Sequence, residues 1–182
     1  MFSVVTNEDR IMPERRTIER ARRDRRQGKA ASTQAGEFIR EEMDHIRQGK
    51  HGARSSKQAI AIGLSKARRA GVDLPAPKKG TVSEKTRKSA ARAYEVGHGA
   101  ATRSRPSAKR SRATERALER EGRSAASPRA LSRQTRSAAA KRTRSDRSAA
   151  ASRAVRTKGP AARTAAARKA ARTRQARAGA YG

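Results

Sequence analysis

The sequence contains no cysteine and no tryptophan, and only four of its residues are aromatic. Without cysteine, the chain can form no disulfide, no thiolate metal site and no cysteine nucleophile. Much of the apolar content is alanine, which covers little area, so 182 residues of this composition do not suffice for one large core. We therefore expect a small folded part and a long part without a core of its own.

Long hydrophobic runs are also absent. The longest apolar stretch covers residues 59–64, whereas a membrane-spanning helix needs roughly 20 apolar residues. The first eleven residues lack the basic start and apolar run of a secretory signal. The sequence thus predicts a protein of the cytoplasm and nucleoid with no membrane partner.

Acidic residues are few, since 16 Asp and Glu stand against 47 Lys and Arg and give a formal net charge of +31. Such an excess favours a polyanionic partner, because basic side chains release the counterions condensed on nucleic-acid phosphates. Residues 100–182 carry +20 of this charge and consist almost wholly of Ala, Arg, Ser and Thr. We expect this stretch to be disordered when free and transiently helical on phosphate, because like charges repel along an isolated helix.

A helical hairpin is predicted in the first half of the chain. One helix covers residues 33–48 and ends at Gly49; the other begins at Ser55, which has capping-box spacing with Gln58, and ends at Gly71. The short linker predicts that the two helices lie antiparallel. The side chains expected to meet are Phe38, Ile39, Met43 and Ile46 on one helix and Ile60, Leu64 and Ala67 on the other.

Two weaker helices flank this hairpin. Residues 17–27 are nearly all charged, with only Ile18 and Ala21 to bury, and are expected to form a frayed arm. Residues 83–96 offer Ala90, Ala91 and Tyr94. Burial is worth ~1.5 to 3 kcal/mol per large side chain against about 1 to 2 kcal/mol per ordered residue, so the hairpin is marginal. Either a second copy of the chain, in a homodimer through the hairpin, or nucleic acid is then needed to order it fully.

Two motifs resemble DNA-reading elements. Residues 58–71 have the turn spacing of a helix-turn-helix, but Arg69 stands where a recognition helix carries a buried aliphatic residue, so one continuous helix without sequence readout is the better interpretation. The single Ser-Pro-Arg triplet at 127–129 is interpreted as an incidental proline in a disordered arm.

No catalytic or metal-binding constellation is recognisable. The histidines lack metal-ligand spacing and are expected at the surface, and the acids of the 33–48 helix are expected to form an ordinary ion-paired face. The residues concerned are His45, His51 and His98, and Glu41, Glu42 and Asp44. Nucleophile elbows, Walker loops and dinucleotide fingerprints do not occur. We predict a non-enzymatic protein without cofactor or metal.

The stretch from Met12 to Lys79 resembles a family of short, basic, uncharacterised bacterial proteins that begin Met-Pro-Glu. The most specific part is EFIREEMDHIRQGKHGARSSKQAIAIGLSKARRAGV, residues 37–72. Members carry labels such as DNA-binding, plasmid stabilisation or domain of unknown function, so the resemblance implies a general nucleic-acid role, no catalytic residue and a native start at Met12. The basic tail departs from the family and is similar in composition to bacterial histone-H1-like tails, although those are richer in lysine.

We therefore predict an all-α chain in three parts: a flexible N-terminus (1–15), a small helical basic domain (16–96) and a disordered cationic low-complexity tail (97–182). Its expected function is largely sequence-nonspecific DNA binding through phosphates, in nucleoid organisation or DNA protection. Arginine outnumbers lysine 35 to 12, which suits this role because a guanidinium pairs with two phosphate oxygens at once.

Two alternative functions stay open: an RNA- or ribosome-associated basic protein, since counterion release does not distinguish polyanions, and an adaptor that docks a protein through the hairpin and uses the tail as a nucleic-acid tether. The residues expected to contact nucleic acid are Arg54, Lys57, Lys66, Arg68, Arg69, Lys78, Lys79, Arg103, Arg105, Lys109, Arg110, Arg112, Arg142, Arg144, Arg163, Arg168, Lys169, Arg172, Arg174 and Arg177.

Overall fold

A computed structural model describes residues 13–102 and 107–179, and of residues 157, 158 and 177–179 it describes the backbone alone. Met12 and most of the expected flexible N-terminus lie outside these residues. All regular structure in the described ranges is helical, which confirms the all-α class. The helices are α1 (Arg15–Arg26), α2 (Ala31–Arg47), α3 (Ser56–Arg69), α4 (Glu84–Gly97), α5 (Ala108–Glu119), a 3-10 turn (Arg123–Ala126), α6 (Pro128–Ala140) and α7 (Arg144–Gly179). The described helices include none that is long and apolar enough to cross a membrane.

The predicted hairpin is confirmed in α2 and α3. Ser55 caps α3 by accepting a hydrogen bond from the Gln58 N–H, and α3 is one continuous helix, as interpreted from its sequence. Phe38 and Leu64 belong to one apolar cluster, and Met43, Ile46 and Ile60 to a second. The two helices approach closely at Gly63, where an added Cβ would lie 2.8 Å from the Ile39 Cα.

The expectation that the first helix is a frayed arm is wrong. Thr17 and Ala21 of α1 are buried, and Ala21 packs in the same cluster as Phe38. Its charged residues are held by ion pairs, since Arg20 pairs with Glu37 of α2 and Asp24 accepts from Lys29 at 2.7 Å. Charge therefore does not exclude the helix from the core, because its two small residues give it a face that fits against α2.

Helix α4 packs against α3. Ala90 and Ala93 are buried, and the Tyr94 hydroxyl donates to the Asp73 carboxylate at 2.7 Å. The helix observed, Glu84–Gly97, confirms the prediction of a helix over residues 83–96 to within about one residue.

The predicted start of the tail at residue 97 does not match the packing. Ala125 and Ala126 are buried in the cluster of Met43 and Ile46, with Leu131 beside them. The end of α5 also contacts the linker between α2 and α3, because the Gly52 N–H donates a hydrogen bond to the Leu118 carbonyl at 2.9 Å. Small alanines can lie flush against this surface, so a stretch of tail-like composition completes the core. The 127–129 triplet is likewise no feature of a disordered arm, because Ser127 accepts from the Ala130 N–H at the start of α6.

The chain divides into two compact units, Met1–Gln134 and Thr135–Gly182. In the second unit α7 is interrupted at Gly159, whose φ of 64° is left-handed, and Pro160 follows as the helix resumes. Every residue from 160 to 176 is exposed. We expected disorder here in the free chain; the structure has helix, for which alanine and arginine have high intrinsic propensity.

Candidate nucleic-acid interface

The basic residues predicted in the second unit are exposed wherever their side chains are described. Between residues 160 and 176 there are five basic residues and no acid, and at 100° per residue they are distributed around the helix. This arrangement presents cationic groups in all directions along the helix. The exposed residues are Arg142, Arg144, Arg163, Arg168, Lys169, Arg172 and Arg174.

A second exposed group lies at the start of α5, where Lys109, Arg110 and Arg112 occupy the first turns. Backbone N–H groups and positive side chains coincide at such a helix start, which makes it attractive to anions. Two of the predicted contacts, Arg103 and Arg105, lie outside the described residues, as does the side chain of Arg177.

The exposed candidates of the first unit do not form one cluster. Lys57 is in the first turn of α3 and Arg69 ends that helix, so they are separated by about 18 Å along the axis. Arg54 precedes α3, and the pair Lys78 and Lys79 lies in the loop before α4. All five are exposed and can add phosphate contacts, but they do not define a single reading surface.

Two predicted contacts, Lys66 and Arg68, are buried instead. Lys66 Nζ lies 3.0 Å from Glu42 Oε2 and 3.6 Å from Glu41 Oε1. Arg68 Nε donates to the Leu74 carbonyl at 3.0 Å, and burial lowers the pKa of its guanidinium. Both side chains bind groups inside the first unit. They do not belong to the interface, because a buried cation cannot reach a phosphate.

The ion-paired face expected on α2 is present at Asp44, which pairs with Arg47 at the surface, but Glu41 and Glu42 belong to an interior charged cluster. Glu41, Glu42 and His45 are all buried, which contradicts the surface positions expected for them. Glu14 Oε1 accepts from His45 Nε2 at 2.9 Å, and this hydrogen bond lowers the pKa of the Glu14 carboxyl. His51 is also mostly buried, whereas His98 is exposed as expected.

Sequence reasoning missed this cluster although a signal was present. Glu42 and His45 stand four and seven residues after Phe38, which places them on the apolar stripe of α2. Polar residues on such a stripe either interrupt it or enter the core with partners. The partners of Glu42, Lys66 and His51, come from α3 and the linker, and the partner of His45, Glu14, precedes α1, so sequence spacing alone does not pair them.

An open groove of about 500 Å³ lies between α1 and the contact of α3 with α4. Its walls include Ile18, Phe38, Val72 and Tyr94, and Arg22 and Arg25 stand among its lining residues. Tyr94 stacks on His98 with ring centroids 4.0 Å apart. The groove is partly apolar and partly basic.

In comparison with known families, residues 13–79 match a family of unknown function, DUF6496. The matched span holds α1, α2, α3 and the loop after α3, and therefore the interior charged cluster, but neither α5 nor the second unit. Comparison with curated proteins and with solved structures gave no match.

Proposed function

We propose that this chain is a non-enzymatic protein that binds duplex DNA through its phosphates with little sequence preference. The observation that carries the proposal is the exposed cationic stretch of the second unit, which has no acid after Asp146. Phosphates of B-DNA recur about every 1.7 Å of helix axis, so exposed arginines on all sides of a helix find phosphate partners in any register.

The division of charge between the units supports this proposal. In the first unit, several cations are paired with carboxylates or buried, as with Arg20, Lys29 and Lys66. The second unit has one acid, Asp146, among 14 basic residues. Unneutralised arginines gain the most from phosphate, since each can displace counterions and form paired hydrogen bonds.

Organisation or protection of nucleoid DNA is the cellular role that fits such binding. It needs many weak phosphate contacts over long stretches of duplex and no base-specific readout. The described elements include no separate recognition helix, since α3 is continuous and its last turns contain the buried Lys66 and Arg68.

A titration of the full chain at several salt concentrations tests the proposal. Two duplexes of unrelated sequence are compared with a structured RNA of equal charge. We expect a steep salt dependence and affinities within about tenfold for the two duplexes. A preference above ~100-fold for one duplex contradicts nonspecific binding, and a comparable preference for the RNA favours the RNA- or ribosome-associated alternative.

The adaptor alternative is favoured by the groove between α1 and α4, whose apolar walls suit a protein segment. Isolation of the chain from nuclease-treated lysate separates the two cases. A stoichiometric protein partner that survives removal of nucleic acid, and is lost on substitution Tyr94→Ala, supports docking. Loss of all bound material supports the DNA-binding proposal.

A further inference from the structure

Three side chains of the first unit bring potential metal-ligand atoms within 4.8 Å of one another: Glu42, His45 and His51. Glu42 and His45 are three residues apart on α2 and share a helix face, while His51 comes from the linker before α3. His51 Nε2 lies 3.3 Å from Glu42 Oε1. We propose that these residues form a binding site for a divalent transition-metal ion, with Zn²⁺ as the probe.

The protonation of His51 is the first argument. His51 Nδ1 lies 3.1 Å from the Gly52 carbonyl oxygen, which can only accept, so Nδ1 carries a hydrogen. In a neutral ring Nε2 then holds a lone pair, and it lies beside the carboxylate oxygen of Glu42. The lone pairs of Nε2 and Oε1, whose atoms are 3.3 Å apart, repel each other unless a cation lies between them.

A proton on Nε2 does not meet this need. Glu42 Oε1 is buried and accepts no hydrogen bond from any described residue, so its 3.3 Å contact with His51 Nε2 lacks hydrogen-bond geometry. The contact of Glu42 Oε2 with Lys66 Nζ at 3.0 Å is likewise an ion pair without hydrogen-bond geometry, but there the ammonium already carries the positive charge. Around a tetrahedral ion with bonds of about 2.0 to 2.1 Å, neighbouring ligand atoms are separated by about 3.3 Å, and each directs its lone pair at the ion, not at its neighbour. The observed pair has this separation.

The charge balance is the second and independent argument. Glu41 and Glu42 are both buried, and among the described residues they share the buried ammonium of Lys66. Buried carboxylates without a full complement of positive charge are strongly unfavourable. A divalent cation at Glu42 Oε1 supplies the missing charge on the side away from Lys66, which contacts Oε2.

The surroundings also resemble those of established ligand sets. Glu14 accepts from His45 Nε2 at 2.9 Å, and an outer carboxylate of this kind orients a ligand imidazole. Two imidazoles and a carboxylate favour Zn²⁺ and related transition ions over Mg²⁺ or Ca²⁺, which prefer sets of oxygen ligands. The site would fix the linker onto α2, at the turn where Gly52 bonds Leu118.

The test is calorimetric titration of the metal-stripped full chain with Zn²⁺, with Mg²⁺ as the negative control. One equivalent of Zn²⁺ is expected to bind. At a free concentration about 100 times Kd, the ion should shift the unfolding equilibrium roughly 100-fold toward the folded state. The arginine-rich segment does not compete, because guanidinium offers no lone pair for a metal.

Three variants make the result specific. His51→Gln should lower Zn²⁺ affinity at least tenfold, while His51→Cys, which restores a ligand atom, should retain it. The matched control is His98→Gln, an exposed histidine of the same unit, which should bind Zn²⁺ like the unmodified chain. Circular dichroism of each variant verifies that the helices persist.

The proposal is overturned if the full chain binds no Zn²⁺, or if His51→Gln binds it as well as His98→Gln does. It is also overturned if the full chain is equally stable with and without saturating Zn²⁺. None of these outcomes bears on DNA binding by the second unit.

Discussion

The two units of this molecule use the same residue types in opposite ways. In the first unit, basic side chains help to hold the fold: Arg20 pairs with Glu37, Lys66 is buried between two glutamates, and Arg68 bonds the loop after α3. In the second, basic side chains from 160 to 176 are exposed and no acid stands among them. The number of Lys and Arg residues therefore does not give the positive charge that a phosphate can reach. That charge also depends on how many of these side chains are buried or paired with carboxylates.

The largest effect should come from deleting the second unit, Thr135–Gly182, which removes +13 of the +31 charges. If about half of that charge engages duplex, the slope of log K against log salt should fall by about 6 units. The cut leaves Ala125, Ala126 and Leu131 in place, so helicity and the thermal midpoint of the first unit should change little. An unchanged slope in the truncated chain would place the main contacts in the first unit.

The substitution Phe38→Ala should have the opposite effect to the deletion, because it should lower stability and leave DNA binding largely intact. Phe38 is almost fully buried, and its truncation should destabilise the first unit by about 3 to 5 kcal/mol, with loss of helical signal. Leu64→Ala, at a half-buried position in the same cluster, should cost about 2 kcal/mol. DNA affinity and salt slope of the full chain should be largely retained. Unchanged circular dichroism and thermal unfolding would contradict the hairpin core.

The substitution Lys66→Met compares a buried lysine with an exposed one on the same helix, α3. Removal of the buried ammonium leaves Glu41 and Glu42 without it and should cost on the order of 3 to 5 kcal/mol in thermal unfolding. The matched control is Lys57→Met, which removes an exposed lysine from the same helix and should cost less than about 0.5 kcal/mol. Equal stability of the two variants would show that Lys66 is not a structural cation.

Gly52→Ala tests where the folded unit ends. An added Cβ would collide with the Glu121 carbonyl, so the substitution should destabilise the full chain by about 1 to 3 kcal/mol. In a chain that ends before residue 107 the collision partner is gone, and the difference should shrink toward zero. The same penalty in both lengths would mean that residues 118–122 do not pack on the linker.

The smallest effect concerns Tyr94, whose hydrogen bond to the Asp73 carboxylate raises the phenol pKa above its ordinary value. Because the folded pKa is the higher one, the contact stabilises below the unfolded pKa and is lost as pH rises through the folded value. Absorbance titration, with Tyr94→Phe to separate the signal of Tyr181, should show a lower pKa in Asp73→Asn. Identical titrations would exclude this contact in solution.

Sequence periodicity sufficed for α2, α3 and their pairing, because Phe38, Met43 and Ile46 recur at helical spacing and Ser55 provides a cap. It failed where small residues do the packing: Ala21 in α1 and Ala125 and Ala126 beyond the expected boundary have no periodic apolar signal. It failed again for charges that enter the core, since the partners of Glu42 and His45 are set by the tertiary fold. Exposure of Arg163, Arg168, Arg172 and Arg174 followed from composition alone, because that stretch has little to bury.

The most direct test is residue-resolved labelling of guanidinium groups in the full chain, free and bound to duplex, read by mass spectrometry. Arg163, Arg168, Arg172 and Arg174 should be modified rapidly in the free chain, several-fold more slowly on DNA, and rapidly again at high salt. Buried Arg68 should react slowly in every condition. If those four arginines are modified equally with and without DNA while Arg54 and Arg69 become protected, binding resides in the first unit and the proposed division of roles is wrong.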